Sequence, residues 1–282
     1  MKKRAKIAAT IVVSLLTASL PAFAGGLVKA TSKNPEAQKL IDKAWELENT
    51  DYSADNYKQC FTWLEEADKL DPDNPEILVN LSRYYWEHGD LLPKQTPEQK
   101  KGLIELYSKG LEAAEKSLKL KETPDAHFWS AANKGEIKEF GSILAQAGAL
   151  PYVYRHSQYV MKHDRGYDYG AVDRLWAEIV TRVPKILIVM TGQKYVADVE
   201  KGINWAIKEW PCIVDNHLFK ARFIYTYYGD KEAALNLLDT VMNTDPNCMP
   251  EQATRIRVTK RYARDLWKKI TGKEYPERGD SQ

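Results

Sequence analysis

The sequence predicts an all-α protein, a solenoid of about five stacked helix pairs with one closing helix. Three observations carry that prediction. Apolar residues recur at helical spacing from end to end, while few stretches alternate with period two. Asn or Thr followed directly by proline marks several helix starts, where the side chain caps the first turn and proline needs no amide proton. The stretches Glu65–Pro75 and Val241–Asn247 both close an apolar helix in Asp-Pro, as repeated units would.

Taken in order, the chain begins with a basic head (Lys2, Lys3, Arg4, Lys6), an apolar run from Ile7 to Leu20, and Ala22-Phe23-Ala24. That order predicts a signal peptide over residues 1–24, cleaved after Ala24, and hence an exported, periplasmic protein. An uncleaved anchor is the rival reading, but the run falls short of the ~18 residues a span needs. No cysteine lies near Ala24, so no lipid acceptor is present there and no direct membrane anchor is expected after cleavage. The leader takes four of the 41 basic residues with it, turning a net +2 into −2 against 39 acidic residues. A near-neutral, mixed surface lacks the basic footprint of a nucleic-acid or anionic-lipid binder.

Residues 25–272 are expected to form one helical-repeat domain. Asn34-Pro35-Glu36 and Asn74-Pro75-Glu76 start two helices, and Thr96-Pro97-Glu98-Gln99 is a capping box that starts another. Tyr57, Cys60, Phe61, Leu64 and Ala67 form the apolar stripe of one helix. Ala234, Leu237, Leu238, Val241 and Met242 form that of a later one. The unit Asp215–Cys248 places Leu218, Ala221, Tyr225, Gly229, Ala234, Leu238 and Pro246 where the 34-residue tetratricopeptide repeat has large, small, aromatic, turn, small, large and terminating residues. A unit from Ile41 resembles the same template in its later half. A helix from Pro75 follows, then a loop near Gly89–Gln95 and a long helix through Leu118. The closing helix is expected from about Glu251 to Ile270, and the polar tail, residues 273–282, is expected to be disordered. Stacking is obligatory for such units, since one helix pair cannot bury its own apolar stripe.

Three cysteines remain for an oxidising compartment. Cys60 lies on an apolar stripe and reads as a buried free thiol. Cys212 and Cys248 each follow a proline-containing helix end, one repeat apart, and are the candidate disulfide; spacing alone does not show whether their Cα atoms come within ~7 Å.

The stretch Ala126–Gly135, AHFWSAANKG, gathers residues that look chemical. His127, Ser130 and Asn133 share a helix face, yet no orienting acid or strand-turn-helix elbow accompanies Ser130, so no catalytic residue is assigned and the chain is read as non-enzymatic. Small residues here admit a neighbouring helix while Phe128 and Trp129 fill the groove. Trp129 and Asn133 are also candidates for a cavity wall that contacts a ligand or partner. His156 and His163 stand seven apart, unlike metal ligands on a helix, and neither HExxH nor CxxC occurs, so no metal or other cofactor is expected. Arg174, Glu178 and Arg182 form an i, i+4 ladder suited to a surface, with Arg174 the candidate for gripping an anionic solute. Trp176 and Tyr225 complete the candidate contacts, the latter from the cluster Tyr225-Thr226-Tyr227-Tyr228, because rings of this kind anchor protein interfaces. Ile186–Met190 is the most conspicuous apolar run after the leader, a buried insertion or a contact surface.

From Phe128-Trp129 through Leu150-Pro151-Tyr152-Val153, Tyr167-Asp168-Tyr169-Gly170 and the helix ending Val183-Pro184, the order of motifs resembles the T-component family of TRAP transporters, TatT-like proteins. The resemblance covers roughly Ile41 to Ile270. It implies a periplasmic accessory component of a TRAP uptake system, which binds the solute-binding subunit, holds a small organic ligand, and assembles as a homo-oligomer such as a trimer. A general periplasmic tetratricopeptide scaffold is the alternative.

Overall fold

The computed structural model describes residues 27–183 and 194–276. Eleven α-helices run through them, and no strand occurs among the described residues. They are α1 (Pro35–Glu48), α2 (Ala54–Leu70), α3 (Pro75–Asp90), α4 (Pro97–Leu120), α5 (Pro124–Glu139), α6 (Ile143–His163), α7 (Ala171–Arg182), α8 (Lys194–Glu209), α9 (Val214–Phe223), α10 (Lys231–Asn243) and α11 (Ala253–Thr271). Consecutive helices pack against one another to give five pairs and a closing helix, the solenoid that the repeating stripes predict. The leader and the apolar run at 186–190 lie outside the described residues. Among those described, no helix is long and apolar enough to cross a membrane.

The helix starts obey their local signals. Asn34 Oδ1 accepts from the Glu36 and Ala37 amides at 3.0 and 3.3 Å, and Asn74 Oδ1 accepts from Glu76 and Ile77 at the same distances. Thr96 and Gln99 form the reciprocal capping box. Each such cap satisfies donors that the first turn would leave orphaned, worth about 1 kcal/mol.

Packing follows the stripes. Ala37, Ile41 and Ala44 of α1 meet Tyr57, Cys60 and Leu64 of α2 and Ile77 and Tyr84 of α3 in the first cluster. Cys60 is a fully buried free thiol, as its stripe position implies, with Sγ 3.3 Å from the Ala44 carbonyl oxygen. A second cluster joins Val79 of α3 to Ala126, Phe128, Trp129 and Ala132 of α5, and onward to Val160, Tyr167 and Val172. At the C-terminal end, Val214, Leu218 and Ala221 pack on Ala234, Leu238 and Val241 and on Ile256 and Ala263 of α11. These are the repeat positions of the unit Asp215–Cys248. Gly229 supplies its turn at φ 74°, after a π-helical turn at Ile224–Tyr228.

Two long-range devices finish the C-terminal half. Cys212 and Cys248 are joined in a disulfide with Cα atoms 5.8 Å apart, linking the end of α8 to the turn beyond α10. Within the tail, residues 273–276 are described and Tyr275 is tied down: its hydroxyl donates to Asp239 at 2.7 Å and its ring meets Trp267 edge-on. Residues 277–282 lie outside the described part.

The corner between α6 and α7 departs from helical geometry. Asp168 and Tyr169 adopt left-handed backbone, φ 39° and 55°, ahead of Gly170 at φ 93°. Left-handed non-glycine residues cost of order 1 kcal/mol or more each, so other contacts must hold them. Arg174 does so. Its guanidinium donates to the Asp168 and Tyr169 carbonyls at 2.7 and 3.1 Å, to Asn216 Oδ1 at 2.9 Å, and to the Asp168 carboxylate. Arg255 of α11 grips the same carboxylate at 2.8 and 3.2 Å.

Candidate functional site: the face of α1, α3 and α5

The first helices of the first three pairs share one face, and the start of α11 returns to it. Thr254 donates to the Asn49 carbonyl at 3.5 Å, just past the end of α1. Along α3, residues three and four apart present Glu76, Val79, Asn80, Arg83 and Glu87. Arg83 is buried and pairs with Glu48 of α1, at 2.8 Å for its second contact, while Tyr84 Oη donates to the same carboxylate at 2.8 Å. Burial pushes the Glu87 carboxyl up to about 7, where the Tyr52 hydroxyl donates to it. Trp86 and Trp129 bring their rings to 5.8 Å between α3 and α5. Burial opposes the charge on Asp168 at the far rim, but Arg255 and Arg174 outweigh it and hold that carboxyl below its usual range.

The residues singled out by sequence do not converge on one cavity. Trp129 is 5% exposed and lies in the α3–α5 cluster beside Val79 and Tyr167. Asn133 is wholly buried, with Nδ2 donating to Ser82 Oγ at 3.1 Å and to the Trp129 carbonyl at 2.9 Å. Asn133 serves packing between helices, and Trp129 packs there too, beside Leu27 at the edge of the α3–α5 cluster. Arg174 leaves the surface ladder: it is 5% exposed and its donors are consumed by the corner, so it has no free fork for an anionic solute. Only Glu178 and Arg182 keep the i, i+4 contact, at 2.8 Å, and Arg222 takes the other side of Glu178. Trp176 is half-buried between two clusters near Tyr154, and Tyr225 is half-buried against the α9–α10 core.

His127, Ser130 and Asn133 part company as well. Ser130 bonds the Tyr152 hydroxyl on α6, not a histidine. His127 Nδ1 faces His156 Nδ1 at 3.0 Å, and its ring stacks on Tyr159 at 3.8 Å. Asn133 points the other way, to α3. A serine without a base and a histidine without a nucleophile perform no acyl transfer. Among the described residues, no cluster of three or more metal-ligating side chains occurs.

Two features escaped the sequence reading. One is the Asp168–Arg174–Arg255 clamp, whose members lie up to 87 residues apart. The other is an extended arm, residues 27–33, which lies on the α1–α3–α5 face and seats Ala30 in the core at 2% exposure. A signal for it existed. Asn80 sits mid-helix six residues after the capping Asn74, a poor helix former held where a second side-chain donor can reach the same strip.

A family model described as regulator of microtubule dynamics protein 1-3 matches residues 40–162, less than half of the chain. No curated protein matches the chain. The family match overturns the resemblance to the TRAP T-component family, and with it the expected accessory role in solute uptake and the solute-binding partner. The physical reason lies in what the shared motifs do. Phe128 and Trp129 fill a groove, Ala131 and Ala132 admit a neighbouring helix, and Pro151 sits inside α6. These are solutions to stacking helix pairs, which any such array reaches without a common role.

Proposed function

We propose that the chain is a non-catalytic, protein-binding helical-repeat adaptor, and that it regulates another assembly, as the matched family's description, regulator of microtubule dynamics, suggests. The observation that carries this reading is where the match falls: residues 40–162 run from within α1 to the end of α6, the three helix pairs that build the α1–α3–α5 face. The fate of the reactive-looking side chains supports it, because His127, Ser130, Asn133 and Arg174 are consumed in holding helices together. Solenoids of this type act through extended surfaces rather than through a catalytic cleft.

The test has two arms. The purified chain is spun with polymerised tubulin, and in parallel cross-linked to its neighbours in its native cells. Co-pelleting with an altered polymerisation rate supports the microtubule reading in full. Cross-links to another protein with tubulin left alone confine the reading to partner binding. A chain that does neither is no adaptor. We also propose that residues 1–24 direct export to the periplasm and are removed, which an intact mass beginning at Gly25 tests. Such a chain meets its partner outside the cytosol, and the cross-linking arm is then the informative one.

A further inference from the structure

The arm at residues 27–33 is bound as a ligand is bound. It is neither helix nor strand, so its main chain has no secondary-structure partner, and side chains of the solenoid supply the bonds instead. Asn80 Nδ2 donates to the Val28 carbonyl at 3.2 Å, and Asn74 Nδ2 donates to the Thr31 carbonyl at 2.8 Å. Glu76 accepts from the Thr31 amide at 3.0 Å, and Gln38 of α1 accepts from the Ser32 amide at 2.8 Å. Four main-chain groups are thus read by side chains of two helices.

The spacing explains why an extended segment fits. Asn74 and Asn80 are six residues apart on a helix that rises 1.5 Å per residue, about 9 Å. The carbonyls they bind are three residues apart in a chain that spans about 3.3 Å per residue, about 10 Å. The arm runs antiparallel to α3, and the two lengths agree. Side-chain recognition adds two points. Ala30 enters a socket with Ile41, Trp45, Leu64 and Tyr84, too tight for a larger residue, and Leu27 packs beside Val79 and Trp129. Outside these points the arm is solvated, with Val28 60% exposed and Thr31 and Lys33 also exposed. Lys29 makes a half-exposed ion pair with Asp42 at 2.7 Å.

We propose that the face of α1 and α3 is a docking groove for an extended peptide, with a large apolar residue followed three positions later by a small one, and that the arm is its occupant in cis. This deepens the adaptor reading and rests on it: the partner presents such a segment and binds when the arm lifts. Bonds to main-chain groups set the extended conformation, and the two apolar sockets set the spacing of side chains. A tethered segment competes at an effective concentration that is roughly millimolar for a short link, so an intact arm masks the groove from weaker rivals.

The probe is a fluorescein-labelled peptide of residues 25–34. Fluorescence anisotropy compares the wild-type protein, Ala30→Arg, and Ala30→Arg with Asn80→Ala. Arginine cannot enter the socket at Ala30, so the arm of that variant is ejected and its groove is open. The peptide is expected to bind Ala30→Arg at least tenfold more tightly than wild type. Adding Asn80→Ala should weaken it about tenfold through the lost amide–carbonyl bond. A folded Ala30→Arg protein that ignores the peptide overturns the proposal, as does binding indifferent to Asn80. Should Ala30→Arg not fold, hydrogen exchange of the wild type decides: Thr31 and Ser32 amides must exchange by local opening, orders of magnitude faster than core amides of α3. Exchange of those amides only with global unfolding makes the arm a fixed part of the core and ends the idea. The adaptor reading survives either failure if tubulin pelleting or cross-linking still captures a partner, and it falls separately if the peptide binds while neither captures one.

Discussion

Acid should open the seam between α5 and α6 at one place, the pair His127–His156. Their Nδ1 atoms lie 3.0 Å apart and both rings are buried, at 8% and 6% exposure. Glu122 accepts from His127 Nε2–H at 3.1 Å, which leaves Nδ1 of a neutral His127 bare. His156 Nδ1–H must therefore be the donor between them. The remaining charged or titratable neighbours are Arg155 and His163, with Glu115 one step away through the Tyr152 hydroxyl. Burial, then His127 and Arg155, push His156 down to about 4, and burial lowers His127 too. A histidine held below its ordinary 6.5 contributes stability that is complete above that pH and is lost as pH falls towards 4. At ~1.36 kcal/mol per decade of proton affinity, His156 alone accounts for about 2.5 kcal/mol lost by pH 4.5. Glu87 and Glu136, both raised to about 7 by burial, act in the opposite sense, so a single protein's pH curve mixes the effects. Urea unfolding of wild type and His156→Phe between pH 7.5 and 4.5 separates them, because the carboxyl contributions are common to both. Phenylalanine keeps the stack on Tyr152 but leaves His127 Nδ1 without a donor, costing about 1–2 kcal/mol at pH 7.5. On acidification to pH 4.5 the wild type should lose about 2.5 kcal/mol more than the variant, so the gap closes and the order of stability reverses. Parallel curves for the two proteins would refute the assignment of that acid sensitivity to the pair.

Three further outcomes are expected. Gly110→Ala should destabilise by about 1 kcal/mol despite the gain of a helix-favouring residue, because its Cβ would stand 2.4 Å from Asn133 Oδ1; in an Asn133→Ala background the same change should stabilise, read by thermal melts. Replacing Cys212 and Cys248 by serine should cost about 4 kcal/mol in the chain-entropy account for a bridge across 36 residues, and reductant should bring the wild type to the same melting point. Arg174→Met should cost about 3–5 kcal/mol in urea midpoints, since it strips a buried carboxylate, two carbonyls and Asn216 of a donor at once; a loss under about 1 kcal/mol would mean that Arg255 holds the corner alone.

Much of this fold is written locally. The caps at Asn34, Asn74 and Thr96 act within one turn of their own residue, and stripes such as Tyr57–Cys60–Leu64 declare a buried face by spacing alone. Five pairs and a closing helix follow from such signals, as does the burial of Cys60. The repeat spacing of Cys212 and Cys248 made their pairing plausible, but their 5.8 Å separation belongs to the folded chain. Motif order was a weaker guide to role than to packing, since groove-filling rings and small residues recur wherever helix pairs stack.

What only the tertiary structure decided are the partners of polar groups. Arg174 reads as a surface rung by its spacing to Glu178, yet it turns inward to Asp168 and to Asn216, 42 residues away. His127 meets His156 across 29 residues, and Asn80 meets Val28 across 52. A cap or an apolar stripe is set by backbone geometry over a turn or two, so sequence alone determines it. A buried charge or amide is satisfied by whichever donor or acceptor the stacking of distant helices brings within 3 Å, and that choice exists only once the chain has folded.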